Sequence, residues 1–242
     1  MGMRRIAMWS GPRNISSAMM RSWGNRPDTL VCDEPLYAHY LLKTGVPHPG
    51  ADEVKQSQDT DWRAVVRALT ESTTSGKPIF YQKHMTHHLL PEMERGWLDR
   101  LTNVFLIREP RDVVTSFARI AGAPRLEDTG FPQQLEIFQW VRERTGAIPP
   151  VIDARDVLED PARVLRRLCE SIGVAFDEAM LSWPAGPRET DGVWAKYWYA
   201  AVVNSTTFHP YQPKEDPVPP HLAGVLSEAN EIYRQLHQFR LR

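Results

Sequence analysis

The chain reads as an α/β protein, with a central parallel sheet and helices on both of its faces. Two observations predict this. Short apolar runs alternate with stretches whose apolar residues recur at helical spacing, strand then helix, through to a fifth strand. Two of those strands also pass into their helices through turns carrying Gly-Pro or Pro, as parallel strands joined by crossover helices require. The 242 residues, 42% of them hydrophobic, suffice for one such domain over 1–242.

The first strand, from Arg5 to Ser10, runs through the turn Gly11-Pro12 into a helix from Ser16 to Trp23, which Gly24 and Pro27 stop. A strand that feeds a helix through small residues aims free backbone N–H groups at one point, where the helix dipole also favours negative charge. Arg13 adds a bidentate cation there, and Ser16 and Ser17 add hydroxyl donors. The stretch predicts a cradle for a phosphate or sulfate ester. It is not a Walker loop, because positions 16 and 17 are both Ser where Gly and Lys are required, and no G-x-G-x-x-G occurs.

Thr29 to Cys32 forms a second short strand that ends in Asp33-Glu34-Pro35. Carboxylates at the C-terminal edge of a parallel sheet can face a ligand, and Glu34 is the stronger candidate. Asp33 also fits as the lead-in to a helix with Pro35 at its first position. Residues 45–60 read as a polar loop, placed to cover an acceptor site. Trp62, Val65, Val66 and Leu69 then repeat with helical spacing, ending near Ser75-Gly76.

A third strand, Pro78 to Lys83, delivers Lys83, His84, His87 and His88 together. On a helix His84 and His88 would share a face, but position 85 is Met where a zinc hydrolase needs Glu, so no metal site is expected. The fourth strand, Asn103 to Ile107, ends at Arg108, and Pro110 opens the next helix. Arg108 and Ser116, one helical turn beyond Asp112, are placed to converge on a second phosphate. An amphipathic helix around Leu135–Val141 and a strand at Pro150-Val151-Ile152 follow, and the segment from Asp156 to Pro161 leads into a helix over Val164 to Gly173. The aromatic group Trp183, Trp194, Tyr197, Trp198 and Tyr199 reads as core. Residues 209–220, with five prolines, read as a rigid linker to a closing helix over 221–240.

A formal net charge of −1 argues against a nucleic-acid-coating protein. With two cysteines, no C-x-x-C, no signal segment and no apolar run of membrane length, the expectation is a soluble, cytoplasmic chain with no membrane partner. No pattern speaks to oligomeric state.

Together these segments resemble the sulfotransferases. Pro12-Arg13-Asn14-Ile15-Ser16-Ser17 is similar to that family's 5′-phosphosulfate loop, Pro-[Lys/Arg]-Ser-Gly-Thr-[Thr/Ser], with Asn14 and Ile15 departing from it. Arg108 to Ser116 resembles the 3′-phosphate segment, Arg-x-x-Arg-Asp with a Ser one turn later. Lys83 and the histidines after it resemble the family's Lys-Thr-His, with Met85 displacing the histidine so that His84 or His87 stands in. The likeness covers most of residues 4–176, and the family's Arg-Lys-Gly loop is absent from the last third. The resemblance implies a P-loop NTPase-like three-layer sandwich that takes 3′-phosphoadenosine 5′-phosphosulfate (PAPS) as co-substrate, needs no metal and sulfates a small-molecule acceptor. Pro12, Arg13, Asn14, Ile15, Ser16, Ser17, Arg108 and Ser116 would hold the donor. Lys83 would neutralise the leaving phosphate, and His84, His87 or Glu34 would take the acceptor's proton. An ATP-dependent phosphotransferase and a non-catalytic nucleotide-binding module remain the competing expectations.

Overall fold

Five apolar runs assemble one all-parallel sheet in the order β2-β3-β1-β4-β5. The strands are β1 (Arg4–Ser10), β2 (Thr29–Asp33), β3 (Ile79–Met85), β4 (Thr102–Ile107) and β5 (Val151–Asp153). The computed structural model describes residues 2–71, 76–122, 124–213 and 218–242. Residues 214–217 of the expected proline linker, and Ser75 at the expected helix end, lie outside them.

Strand alternation sorts β1 onto two cores. Ile6 and Met8 join Tyr81, Val104 and Leu106 beneath α1 (Ser16–Gly24) and, further along the chain, α8 (Pro161–Ser171). Ala7 and Trp9 join Phe80, Phe105 and Ile107 beneath α4 (Trp62–Glu71), α6 (Phe131–Thr145) and α11 (Ala223–His237). Every β1 residue from Ile6 to Ser10 is fully buried, as a central parallel strand covered on both faces must be. The result is the expected three-layer α/β sandwich.

The chain leaves β1 for β2 and β3 on one side and later crosses to β4 and β5 on the other. Neighbouring strands β1 and β4 therefore send their chains in opposite directions, which opens a crevice at their C-terminal ends. Gln134 of α6 stitches that crevice, its amide donating to the carbonyls of Trp9 and Leu106 at 3.0 Å each. α5 (Pro110–Ala121) starts at the expected proline.

Three expectations are corrected. Residues 45–60 are not all loop: Ala51–Ser57 forms α3, with Gly50 left-handed at its start and Val54 fully buried. The helix after β2, α2 (Tyr37–Thr44), begins two residues beyond Pro35 because Glu34 takes a left-handed turn. β3 also runs on past Lys83 to Met85, pairing with Trp9 and Ser10, so His84 is a strand residue. The closing helix is α11, preceded by a short 3₁₀ turn at Pro220–Leu222.

Candidate active site

All five strands point the same way, so Ser10, Asp33, Met85, Ile107 and Asp153 end on one edge of the sheet, and the candidate residues gather there. The loop after β1 is shaped by close contacts. A Cβ on Gly11 would lie 2.5 Å from the carbonyl oxygen of Thr129, so only glycine lets the turn before α6 approach. Arg13 is left-handed at φ 57°, a conformation that side-chain-bearing residues avoid and that concentrates at functional sites.

From that turn the Arg13 guanidinium reaches Ser116 of α5, Nε donating to Oγ at 3.0 Å. Arg108 reaches back, donating to the Arg13 carbonyl at 3.2 Å while Nη2 holds Asp112 at 3.1 Å. The two expected phosphate sites thus interlock. Arg13 has no carboxylate partner among the described residues, and burial together with the nearby Arg108 charge lowers its pKa. Two adjacent guanidinium groups that repel one another are stabilised by an anion between them.

Helix α1 starts at Ser16 without a side-chain cap, leaving its first-turn N–H groups open to such an anion. Ser10, at the base of the cradle, buries a hydroxyl without a partner. Asn14 is used internally, accepting from the Ile15 N–H at 2.8 Å and donating to the Leu106 carbonyl at 2.9 Å. Ile15 replaces the family's glycine at φ −88°, where any residue fits, so the departure costs no backbone strain. Pro12 and Ser17 are partly exposed along the same loop, and Ser16 is buried.

A second group forms where β2 and β3 end. Lys83 Nζ donates to Asp33 Oδ1 at 3.0 Å, to Tyr199 Oη at 2.9 Å and to Glu34 Oε1. All three of its protons are engaged, and its side chain is 1% exposed, against 2% for Asp33 and 11% for Glu34. Glu34 is therefore the least buried member of this cluster. Its backbone is left-handed at φ 41°, and its carbonyl is held by Gln58 at 3.1 Å. Burial raises the Glu34 pKa against the opposing pull of Lys83, while the same carboxylates hold the Lys83 pKa well above the usual lysine value.

The histidines separate. His84 faces away from Lys83, stacked on Trp9 at 4.4 Å between ring centroids and hydrogen-bonded to Gln82, 1% exposed. Strand alternation thus takes it out of the site, because β3 does not end at Lys83 as expected. His87 follows in the 3₁₀ turn Thr86–His88, partly exposed, edge-on to Tyr40 and with Nδ1 unpartnered. His88 stacks between Tyr37 and Tyr40, and Tyr37 bonds His48 at 2.8 Å. The structure therefore brings Lys83 and Glu34 together and sets His87 beside an aromatic wall. Among the described residues no group of histidines, cysteines and carboxylates could hold a metal ion, and no helix is long and apolar enough to cross a membrane.

Sequence reasoning missed Tyr199, which lies far along the chain and carries no motif. Asp33, for which the sequence also allows a helix lead-in, is held in the cluster by Lys83 and Tyr199, as its place at a strand's C-terminal end permits.

Residues 3–236 match the family model described as "Sulfotransferase domain". Branched-chain-amino-acid aminotransferase-like protein 1 of Arabidopsis thaliana is 36% identical over 88% of this chain. The chain spans only 37% of that relative's length, so the name describes a much longer protein. The sulfotransferase domain of the Synechococcus PCC 7002 olefin synthase matches with a TM-score of 0.55 at 17% identity, over 94% of each chain. A sulfotransferase from Alicyclobacillus acidocaldarius matches with a TM-score of 0.55 at 12% identity, over 100% of this chain and 98% of its own. These two likenesses are of fold.

Proposed function

The chain belongs to the sulfotransferase domain family, and on that premise we propose that it moves the sulfuryl group of PAPS to a hydroxyl or amine of a small-molecule acceptor. The observation that carries this reading is the Arg13–Ser116 hydrogen bond, together with the return bond from Arg108 to the Arg13 carbonyl. One loop and one helix are locked into a double cationic site at the crevice between β1 and β4. A nucleotide with phosphates at both its 5′ and 3′ positions has the charge distribution that such a site matches.

Sulfuryl transfer, like phosphoryl transfer, asks mostly for positioning and for stabilisation of charge on the leaving oxygen. The sulfur–oxygen bond to the 5′-phosphate breaks with its electron pair staying on that phosphate, beside Arg13 and the open first turn of α1. Arg108 and Ser116 hold the other phosphate. A new bond forms from sulfur to the acceptor oxygen or nitrogen, and the proton released goes to Glu34. Of the two carboxylates Glu34 is the better placed to take it, because its side chain is 11% exposed against 2% for Asp33. Lys83 touches the leaving oxygen only by giving up one of its three partners, so it acts here by holding Glu34. His87, with the aromatic wall of Tyr40 and His88, lines the acceptor side.

The test is turnover of PAPS with a panel of alcohols and amines in the presence of EDTA. Acceptor-dependent release of adenosine 3′,5′-bisphosphate, lost in Arg13→Ala, is the expected result. Magnesium-dependent transfer from ATP, with PAPS untouched, would replace this reading by a phosphotransferase.

A further inference from the structure

The segment 192–199 sends three polar groups into the buried cluster at the ends of β2 and β3, and none of them belongs to a recognisable motif. The Tyr199 hydroxyl faces both oxygens of Asp33, at 2.8 and 2.7 Å, and accepts from Lys83 at 2.9 Å. Trp194 Nε1 donates to the same hydroxyl at 3.3 Å, and the Gly192 N–H donates to Asp33 Oδ2 at 3.2 Å. Tyr199 lies between α9 (Ala195–Trp198) and α10 (Ala200–Val203), and its side chain is buried.

We propose that Tyr199 is a positioning residue for Glu34, acting through Asp33 and Lys83. Two buried carboxylates share one ammonium group here, so each competes for it. Tyr199, beside Lys83, and Gly192, on Oδ2, help to satisfy Asp33, which lets Lys83 divide its protons between Asp33 and Glu34. Without the phenol hydroxyl, Asp33 draws Lys83 toward itself and Glu34 loses its cation. Glu34 then holds its proton to higher pH and is a poorer proton acceptor at neutral pH. The charged and titratable groups facing Glu34 are Asp33 on β2, Lys83 on β3, Tyr37 on α2 and Tyr199 itself. The C-terminal aromatic segment thereby sets the protonation of a carboxylate that lies far away in sequence. The benefit to catalysis rests on the sulfuryl-transfer reading of Glu34; the coupling does not.

The test is the titration of Glu34 in protein labelled with carboxyl-¹³C glutamate, its signal identified by its loss in Glu34→Gln. In Tyr199→Phe the Glu34 midpoint is expected to rise by about one pH unit. In Asp33→Asn it is expected to fall by about as much, because the competing charge is gone. Opposite movements are not produced by loosened packing. Midpoints that stay put in both variants, or that move the same way, overturn the proposal. If Tyr199→Phe does not fold, Asp33→Asn still tests the competition on which the proposal stands, and a Glu34 midpoint that stays put or rises there overturns it. Binding of adenosine 3′,5′-bisphosphate, measured on the same samples, is expected to be unchanged. Its absence from the wild-type protein would sink the sulfuryl-transfer reading and leave the coupling to the titration.

Discussion

Lys83→Met is expected to lower the unfolding free energy by about 3–5 kcal/mol, the usual loss when one partner is removed from a buried ion pair. Met matches the length of the lysine stem but leaves Asp33 and Glu34 side by side with no cation, in a region where each is nearly or fully removed from water. One carboxylate must then take up a proton on folding, so the loss grows as pH rises. Urea unfolding at pH 6 and pH 8 measures it. A loss under about 1 kcal/mol, the range of exposed ion pairs, would mean that Lys83 does not hold this cluster together.

The second large effect is a loss of stability on mild acidification. Burial between Trp9 and Gln82 holds the His84 pKa down to about 3, with the Lys83 charge adding to the effect. In the unfolded chain the same ring titrates near the ordinary histidine value of about 6.5. Between those values the unfolded state binds the proton and the folded state does not, so stability falls as pH falls from about 6.5 toward 3. From pH 7 to pH 5 His84 alone should account for about 2 kcal/mol. His87, held to about 3, and His88, held by burial well below the ordinary histidine value, push in the same direction. Unfolding of His84→Gln at the two pH values isolates the first contribution. A pH slope equal to that of the wild-type protein would contradict the buried, neutral His84.

Much of this arrangement is legible in the sequence because the residues concerned sit where strands end. Arg13 and Arg108 each follow an apolar run, and in a parallel sheet such positions share one edge whatever the intervening loops do. The sandwich and the interlocked cradle come from that rule. His84 shows where the rule becomes fragile. Its place depends on whether β3 stops at Lys83 or continues, and a difference of one residue moves a side chain to the opposite face of the sheet. Glu34 and Arg13 take left-handed backbones that no local pattern demands of non-glycine residues. Tyr199 was hidden for another reason. An aromatic cluster announces burial, and Trp183, Trp194 and Tyr199 are buried as the sequence suggests while Tyr197 is exposed and Trp198 half-buried, but nothing local tells which ring carries a hydroxyl into a charged site. Ile15 departs from the family's loop without backbone strain, since the position has a permissive φ of −88° here.

The central claim is that the crevice between β1 and β4 is built for a nucleotide carrying phosphates at both 5′ and 3′ positions. Calorimetric titration with adenosine 3′,5′-bisphosphate, AMP and Mg-ATP, on the wild-type protein and on Arg108→Ala, tests it most directly. The bisphosphate should bind with a Kd of order micromolar, since a handful of charge-assisted hydrogen bonds supplies that much. AMP should bind at least about tenfold more weakly, and Arg108→Ala should erase the difference between the two by removing the 3′-phosphate grip. Mg-ATP binding more tightly than the bisphosphate, or Arg108→Ala leaving the preference intact, would contradict the account.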